Sequence, residues 1–507
     1  MSRRLAGRAL AALTTSALAS AALGATPASA DTGALGDDAL TAKGALYNIA
    51  EVVGAHASYA AGFTGKGVGV ALIDTGVTEV PGLTSGNVWH GPDLSLDSQV
   101  PELAHLDGYG HGTHLASIIA GRDQAGSPSS YLDPARFTGI APDATLVSLK
   151  VGASDGAVDV SQVIAAIDWA VEHRNDPELN IRVINLSYGT DSLQDTAVDP
   201  LAFAVENAWN HGIVVVAAGG NDGSSTYTLA NPGRDPLVLS VGVDDTKGTV
   251  STRDDDVPAW GSRGTNQRHV DVVAPGVSVL GLRVPDGLAD SLHPDARVGT
   301  RFAKASGTSQ AAAVVSGEVA LLLQESPSLT PDQVKKKLMN TAENVPLEST
   351  QYRGNGVSDA RTAQVVADSA ARQTGTAARG TGSLEASRGS SHVSDGGTPI
   401  SGEVDVFGHA WDGTAWAAAT ANETVWVGGT WRGLPLVGDG WDGRTWRSAD
   451  WSGQSWTGQS WAGQSWSGGR WSGQSWTGQS WSGGRWSGGR WSGESWRTAD
   501  LAGASWS

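Results

Sequence analysis

Val70-Ala71-Leu72-Ile73-Asp74-Thr75-Gly76-Val77 is an apolar run that stops at a carboxylate and a turn. With Val68 and Gly69 before it, the run does not alternate, so it reads as a strand buried on both faces. Thr145–Val151, Ile181–Leu186 and Ile213–Ala217 read as further buried strands. Val160–His173 and Pro200–His211 carry helical periodicity between them. Strand–helix–strand alternation predicts an α/β fold, a parallel β-sheet flanked by helices. In such sheets function gathers at the carboxyl ends of the strands, where Asp74 falls. A buried carboxylate there is costly unless hydrogen-bonded or paired. Asp also bonds its own turn, which is the plainer reading. An aspartic-protease dyad needs two such motifs, and the other, Asp31-Thr32-Gly33, lacks a preceding apolar strand.

Two further segments carry chemistry. In Asp107-Gly108-Tyr109-Gly110-His111-Gly112-Thr113-His114, His111 sits between glycines that permit close approach of another chain. A satisfied turn histidine is the plainer reading, and a zinc pair with His114 lacks a third ligand. In Ser306-Gly307-Thr308-Ser309-Gln310-Ala311-Ala312, Ser309 opens an Ala-rich helical run, with Gly307 and Thr308 supplying approach and cap. Ser309 alone reads equally well as a helix-capping serine.

Together the segments place Asp, His and Ser in that chain order and closely resemble the subtilisin-like serine proteases, the subtilases. The likeness extends from Leu46-Tyr47-Asn48-Ile49 through Asn185-Leu186-Ser187-Tyr188-Gly189, Ala218-Gly219-Gly220-Asn221 and Asp271-Val272-Val273-Ala274-Pro275-Gly276 to Gly354-Asn355-Gly356. The resemblance implies a subtilisin-like fold and hydrolysis of peptide bonds in proteins through an acyl-enzyme. Ser309 would be the nucleophile, His111 the base and Asp74 the group that orients it. Asn221 and the Ser309 N–H would form the oxyanion hole. Ser187, Tyr188 and Gly189 would pair with the substrate backbone, with Tyr188 lining a subsite. No cofactor is required for that chemistry and no metal ligand is assigned, although structural calcium is frequent in the family. Gln310, Ala313, Leu115 and Ser117 depart from the usual pattern, and none removes a catalytic atom. An inactive, peptide-binding subtilase-like protein is the alternative reading.

The ends have their own composition. Residues 1–30 read as a secretory signal peptide: Arg3, Arg4 and Arg8, then the apolar Leu10–Leu23, then Ala28-Ser29-Ala30. A secreted, extracellular protein follows, with no membrane insertion once the signal is removed. Residues 31–45 form a short N-terminal segment, too short for the folded prodomain common in the family. The catalytic domain is expected over 46–371 and a Gly/Ser/Thr-rich flexible linker over 372–405, a plausible processing site near Gly375–Gly397.

From Val406 to Trp506 every fifth residue is apolar, and 17 of those 21 positions are Trp. Neither a helix nor a flat strand gathers a period of five on one face. Ala449-Asp450-Trp451-Ser452-Gly453 and Ala499-Asp500-Leu501-Ala502-Gly503 weakly resemble pentapeptide repeats, so 406–507 reads as a five-residue-period repeat tail, either a β-solenoid or a low-complexity chain. A role in cell-wall or polymer contact, or in self-association, is the expectation for it. The 507-residue chain has no Cys, which excludes disulfides, a thiol nucleophile and Cys-ligated metals. Its 52 acidic residues against 34 basic ones argue against nucleic-acid binding.

Overall fold

The computed structural model describes residues 43–441 apart from 101, 224–227, 347, 396–397, 407, 428–429 and 438–439, and beyond them 451–452, 485–486 and 489–490. The expected signal peptide and nearly all repeats after residue 441, with the solenoid reading, lie outside the described residues.

After helices α1 (Leu46–Val52) and α2 (Ala55–Ala60), strand β1 (Gly69–Asp74) enters the centre of a seven-stranded sheet. The others are β2 (Val88–Asp93), β3 (Thr145–Lys150), β4 (Ile181–Leu186), β5 (Val214–Ala218), β6 (Leu239–Asp244) and β7 (Val272–Pro275). Their order is β2-β3-β1-β4-β5-β6-β7, and every adjacent pair is parallel. All six residues of β1 and all five of β5 are buried, as expected for strands covered on both faces. Helix α3 (His111–Ala120) packs with α6 (Thr308–Glu325), and α4 (Val160–Glu172) packs with α5 (Pro200–Asn210). β8 (Val279–Leu282) and β9 (Phe302–Ala305) form an antiparallel pair that delivers the chain to α6.

The chain leaves β1 toward β2 and β3, then returns to the other side of β1 for β4. That reversal opens a crevice at the carboxyl ends of β1 and β4. Asp74 ends β1, and Ser187 follows β4.

Residues 372–405, expected as a flexible linker, are largely packed. Gln373 donates its N–H to Asp332 Oδ2 (3.0 Å) and Ala378 donates to Glu206 Oε2 (2.8 Å). Between them 374–377 are exposed. Helix α7 (Leu384–Arg388) then lies on the α4–α5 side, with Leu384 and Arg388 fully buried. The composition reads as a linker because the anchors are single side chains whose partners are distant in sequence. Arg388 Nε donates to Asp159 Oδ2 at 2.6 Å, 229 residues away.

The first repeats are not a four-sided coil with five residues per side. Gly413–Ala421 is helix α8, favoured by its alanines, and Trp426–Val427 pairs antiparallel with Thr430–Trp431. Val406, Trp411, Trp416, Trp426 and Trp431 are buried. Trp416 Nε1 and Trp431 Nε1 both donate to Asp168 Oδ2 on α4, at 3.0 and 2.9 Å, and Thr420 Oγ1 donates to Oδ1 at 3.2 Å. Trp416, Trp426 and Trp431 thus pack on α4, each donating its indole N–H to it.

Candidate active site

Asp74 and His111 meet at the crevice. His111 opens α3, and its Nδ1 lies 2.7 Å from Asp74 Oδ1. Both side chains are buried. Two glycines make the approach feasible. Gly110 has φ +108°, the left-handed region that favours glycine. A Cβ on Gly112 would lie 2.1 Å from the Gly76 carbonyl oxygen.

A second carboxylate shapes this loop. Thr75 donates its N–H to Asp74 Oδ1 at 2.8 Å. The Thr75 hydroxyl donates to Asp107 Oδ1 at 2.8 Å, accepts Gly112 N–H at 2.9 Å and lies 3.2 Å from Asp74 Oδ1. Asp107 also accepts the N–H groups of Gly110 and Thr113, each at 2.7 Å. Thr75 and Asp107 thus tie the end of β1 to the start of α3. Sequence reasoning gave neither a role, although both lie inside the quoted segments; a polar residue beside each candidate was the available signal.

Burial pushes the His111 imidazole well below its ordinary value, so the ring is neutral at neutral pH. Burial pushes the Asp74 carboxyl up, against the Thr75 hydrogen bonds that favour its ionised form. His114 is pushed down to about 3 by burial and then by His111, and its ring lies against Gly281. Among the described residues no group of three or more His, Asp or Glu is placed to hold a metal ion, so the His111–His114 pair gains no third side-chain ligand of that kind there.

Ser309 is the second residue of α6, which packs on α3. The helix entry differs from the expected cap. Gly307 is the N-cap, and its N–H donates to Gly276 O at 2.9 Å. Thr308 is already helical; its N–H donates to Asn221 Oδ1 at 2.9 Å and its hydroxyl accepts Gly220 N–H at 3.3 Å. Ser187 Oγ donates to the Ser309 carbonyl at 3.3 Å. Asn221 and Ser187 therefore both join the first turn of α6. Ser309 Oγ and Asn221 Nδ2 are buried with no hydrogen-bond partner among the described residues. Tyr188 and Gly189, which follow Ser187, are buried as well, Tyr188 only 1% exposed. Burial raises the Tyr188 phenol well above its ordinary value, and the charges of Asp159, Asp191 and Asp199 add to this while Arg388 opposes it. Among the departures, Ser117 has a use, since its hydroxyl donates to His114 O (2.7 Å) and accepts Leu282 N–H (2.9 Å), pinning α3 to β8.

The family model described as the subtilase family matches residues 65–375, more than half of the sequence. The chain belongs to the subtilases. Serine protease AprX of Bacillus subtilis (strain 168) is 36% identical to this subtilase over 306 residues, 59% of this chain and 66% of AprX, just under two thirds of that relative. Subtilisin BL of Lederbergia lenta is 33% identical over 312 residues, 61% of this chain and 96% of that protein. A crystal structure of a cold adapted subtilisin-like serine proteinase shares 28% identity, with a TM-score of 0.43, and covers 59% of this chain and 88% of its own. The packed segment after residue 375 lies outside the family match.

Proposed function

We propose that this subtilase is a secreted serine endopeptidase that cleaves peptide bonds through an acyl-enzyme on Ser309. The observation that carries the reading is the buried Asp74–His111 contact of 2.7 Å, on the helix that packs against the first turn of α6. A serine hydroxyl is a weak nucleophile and needs a base, which a neutral imidazole provides. His111 takes the Ser309 proton as Oγ bonds the scissile carbonyl carbon. It returns that proton to the leaving amine as the C–N bond breaks. Asp74 accepts from His111 Nδ1–H, holds the tautomer and stabilises the imidazolium. Water then repeats the sequence on the ester and frees Ser309.

Asn221 suits the oxyanion role because Thr308 N–H occupies its Oδ1. The amide cannot flip without losing that bond, so Nδ2 remains the donor facing the site. Ser187–Gly189 presents backbone to an extended substrate as an added strand. Such pairing is indifferent to side chains, so protein substrates of broad sequence are expected. The secreted location rests on the N-terminal pattern of residues 1–30.

The test is labelling of the exported protein with a fluorophosphonate probe, with casein cleavage alongside. Labelling and cleavage are expected in the wild type and absent from Ser309→Ala. A folded wild type that takes no label would overturn the active enzyme in favour of a peptide-binding protein. N-terminal sequencing of the secreted form is expected to begin at Asp31.

A further inference from the structure

The segment after residue 375 grips one wall of the crevice from behind. Gly382 donates its N–H to Val198 O at 2.7 Å, and Arg379 donates to Ala197 O at 3.0 Å. Ser383 N–H meets Gln194 Oε1 at 2.8 Å, and Gln194 Nε2 returns to Ser383 O at 3.0 Å. Ser387 Oγ donates to Asp199 Oδ1 at 3.1 Å, and Ser390 N–H donates to Asp191 Oδ1 at 2.7 Å. Every one of these partners lies in the loop that continues directly from Ser187–Gly189. A Cβ on Gly389 would lie 2.1 Å from Asp191 Oδ1, and its φ is +64°, so the grip requires glycine there.

Arg388 joins that loop to the next wall. Its guanidinium holds Asp159, the N-cap of α4, through Nε at 2.6 Å, and reaches the carbonyls of Gly402 (2.9 Å) and Val404. Both charges are completely buried. The same two charges act on the buried Tyr188 phenol. One side chain from outside the family match thus anchors the start of α4, while its neighbours Ser387 and Ser390 hold the loop that follows Ser187–Gly189.

We propose that Arg388 is a positioning residue: anchored on Asp159, with Ser387 and Ser390 beside it holding Asp199 and Asp191, it sets the backbone of Ser187–Gly189, so that binding of extended peptides depends on the C-terminal segment. This rests on the reading of Ser187–Gly189 as a substrate strand. A strand partner needs several residues of peptide, so the dependence grows with substrate length. A single-residue ester, which cannot form the added strand, is insensitive to Arg388.

The experiment compares the full-length wild type with Arg388→Met and Asp191→Ala, using a tetrapeptide amide and a single-residue ester. The expected result for Arg388→Met is a rise of about tenfold in KM for the tetrapeptide, with kcat and the ester KM changed less than about twofold. Asp191→Ala, a milder cut in the same grip, gives a rise of about threefold. Tetrapeptide affinity is also measured by calorimetry on Ser309→Ala chains with and without each change, where about the same ratios are expected without turnover. Unchanged tetrapeptide KM and affinity in folded variants would overturn the proposal. An equal rise for ester and tetrapeptide would do so too, because it marks a general distortion of the crevice. If Arg388→Met does not fold, Asp191→Ala decides. A wild type that takes no fluorophosphonate label refutes the nucleophile assignment and leaves the affinity arm to judge Arg388.

Discussion

The crevice and the docked C-terminal segment both bury polar groups, and two groups in each are treated in opposite ways. Around α6 and β5 the structure leaves Ser309 Oγ and Asn221 Nδ2 buried without partners among the described residues. Under the C-terminal segment Arg388 has Asp159, Glu385 and two carbonyls, and Asp168 has two indoles and a hydroxyl. An unsatisfied buried polar group costs stability and is rare, so it marks a place where something else is expected to bind. Satisfied groups at similar depth mark architecture. Burial alone does not separate these two pairs; filled against unfilled hydrogen-bonding capacity does, although Ser391 Oγ and Trp411 Nε1 in the C-terminal segment are unfilled among the described residues too.

Substitutions on the two sides should therefore differ in kind. The largest effect is expected from Asp74→Asn, which keeps the shape but loses the tautomer control, lowering kcat by about 10⁴ with little change in melting temperature. Asn221→Leu should lower kcat by about 10²–10³ and leave KM nearly unchanged, since its donor acts on charge that develops in the transition state. Steady-state assays with a tetrapeptide amide check both. A large loss of folding stability from either would erase the contrast between the two regions.

On the other side, Arg388→Met strands a buried carboxylate and should cost about 3–5 kcal/mol of folding stability, read by urea denaturation. Adding Asp159→Asn should recover part of that loss. Trp431→Phe removes one indole donor from Asp168 and should cost about 2 kcal/mol, with kcat unaffected. A further effect concerns pH. Burial, opposed by the indole and Thr420 hydrogen bonds, lifts the Asp168 carboxyl from its ordinary 3.8 to about 7. Between those values the folded chain holds a proton that the unfolded chain has lost. Its contribution to stability is therefore full below about pH 4, declines as pH rises, and is flat above about 7. Asp168→Asn should remove that decline, since its oxygen can serve both indoles and its amide can donate to Thr420. Melting temperatures at several pH values check it, and parallel curves for variant and wild type would contradict it.

The family core was legible because its signals are local. Ile181–Leu186 was read to the residue, and the other runs and the two helical stretches were read to within about one residue, because buried strands and capped helices announce themselves over six to thirteen positions. Asp74, His111 and Ser309 stood out through their neighbours, although Thr308 was misjudged as a cap. Long-range pairing was not legible. Nothing near Asp107 says that it accepts the Thr75 hydroxyl, and nothing near Asp159 says that Arg388 pairs with it. The segment after 371 has the composition of a tether, and only partners such as Asp159 and Asp168, more than two hundred residues earlier, turn it into packed structure. The period of five was real in sequence, yet in 406–431 it became burial in a helix and a hairpin.

The exposed stretch 374–377 has a consequence for how this protein would look on a gel. It lies between anchors at Gln373 and Ala378, and downstream Arg388, Trp416 and Trp431 have their own hydrogen bonds to the body. A cut there would sever one covalent link and no packed contact. Such a molecule would run as two fragments after denaturation and migrate as a single two-chain particle under native conditions. Clipping, by itself, would then be neither release nor loss.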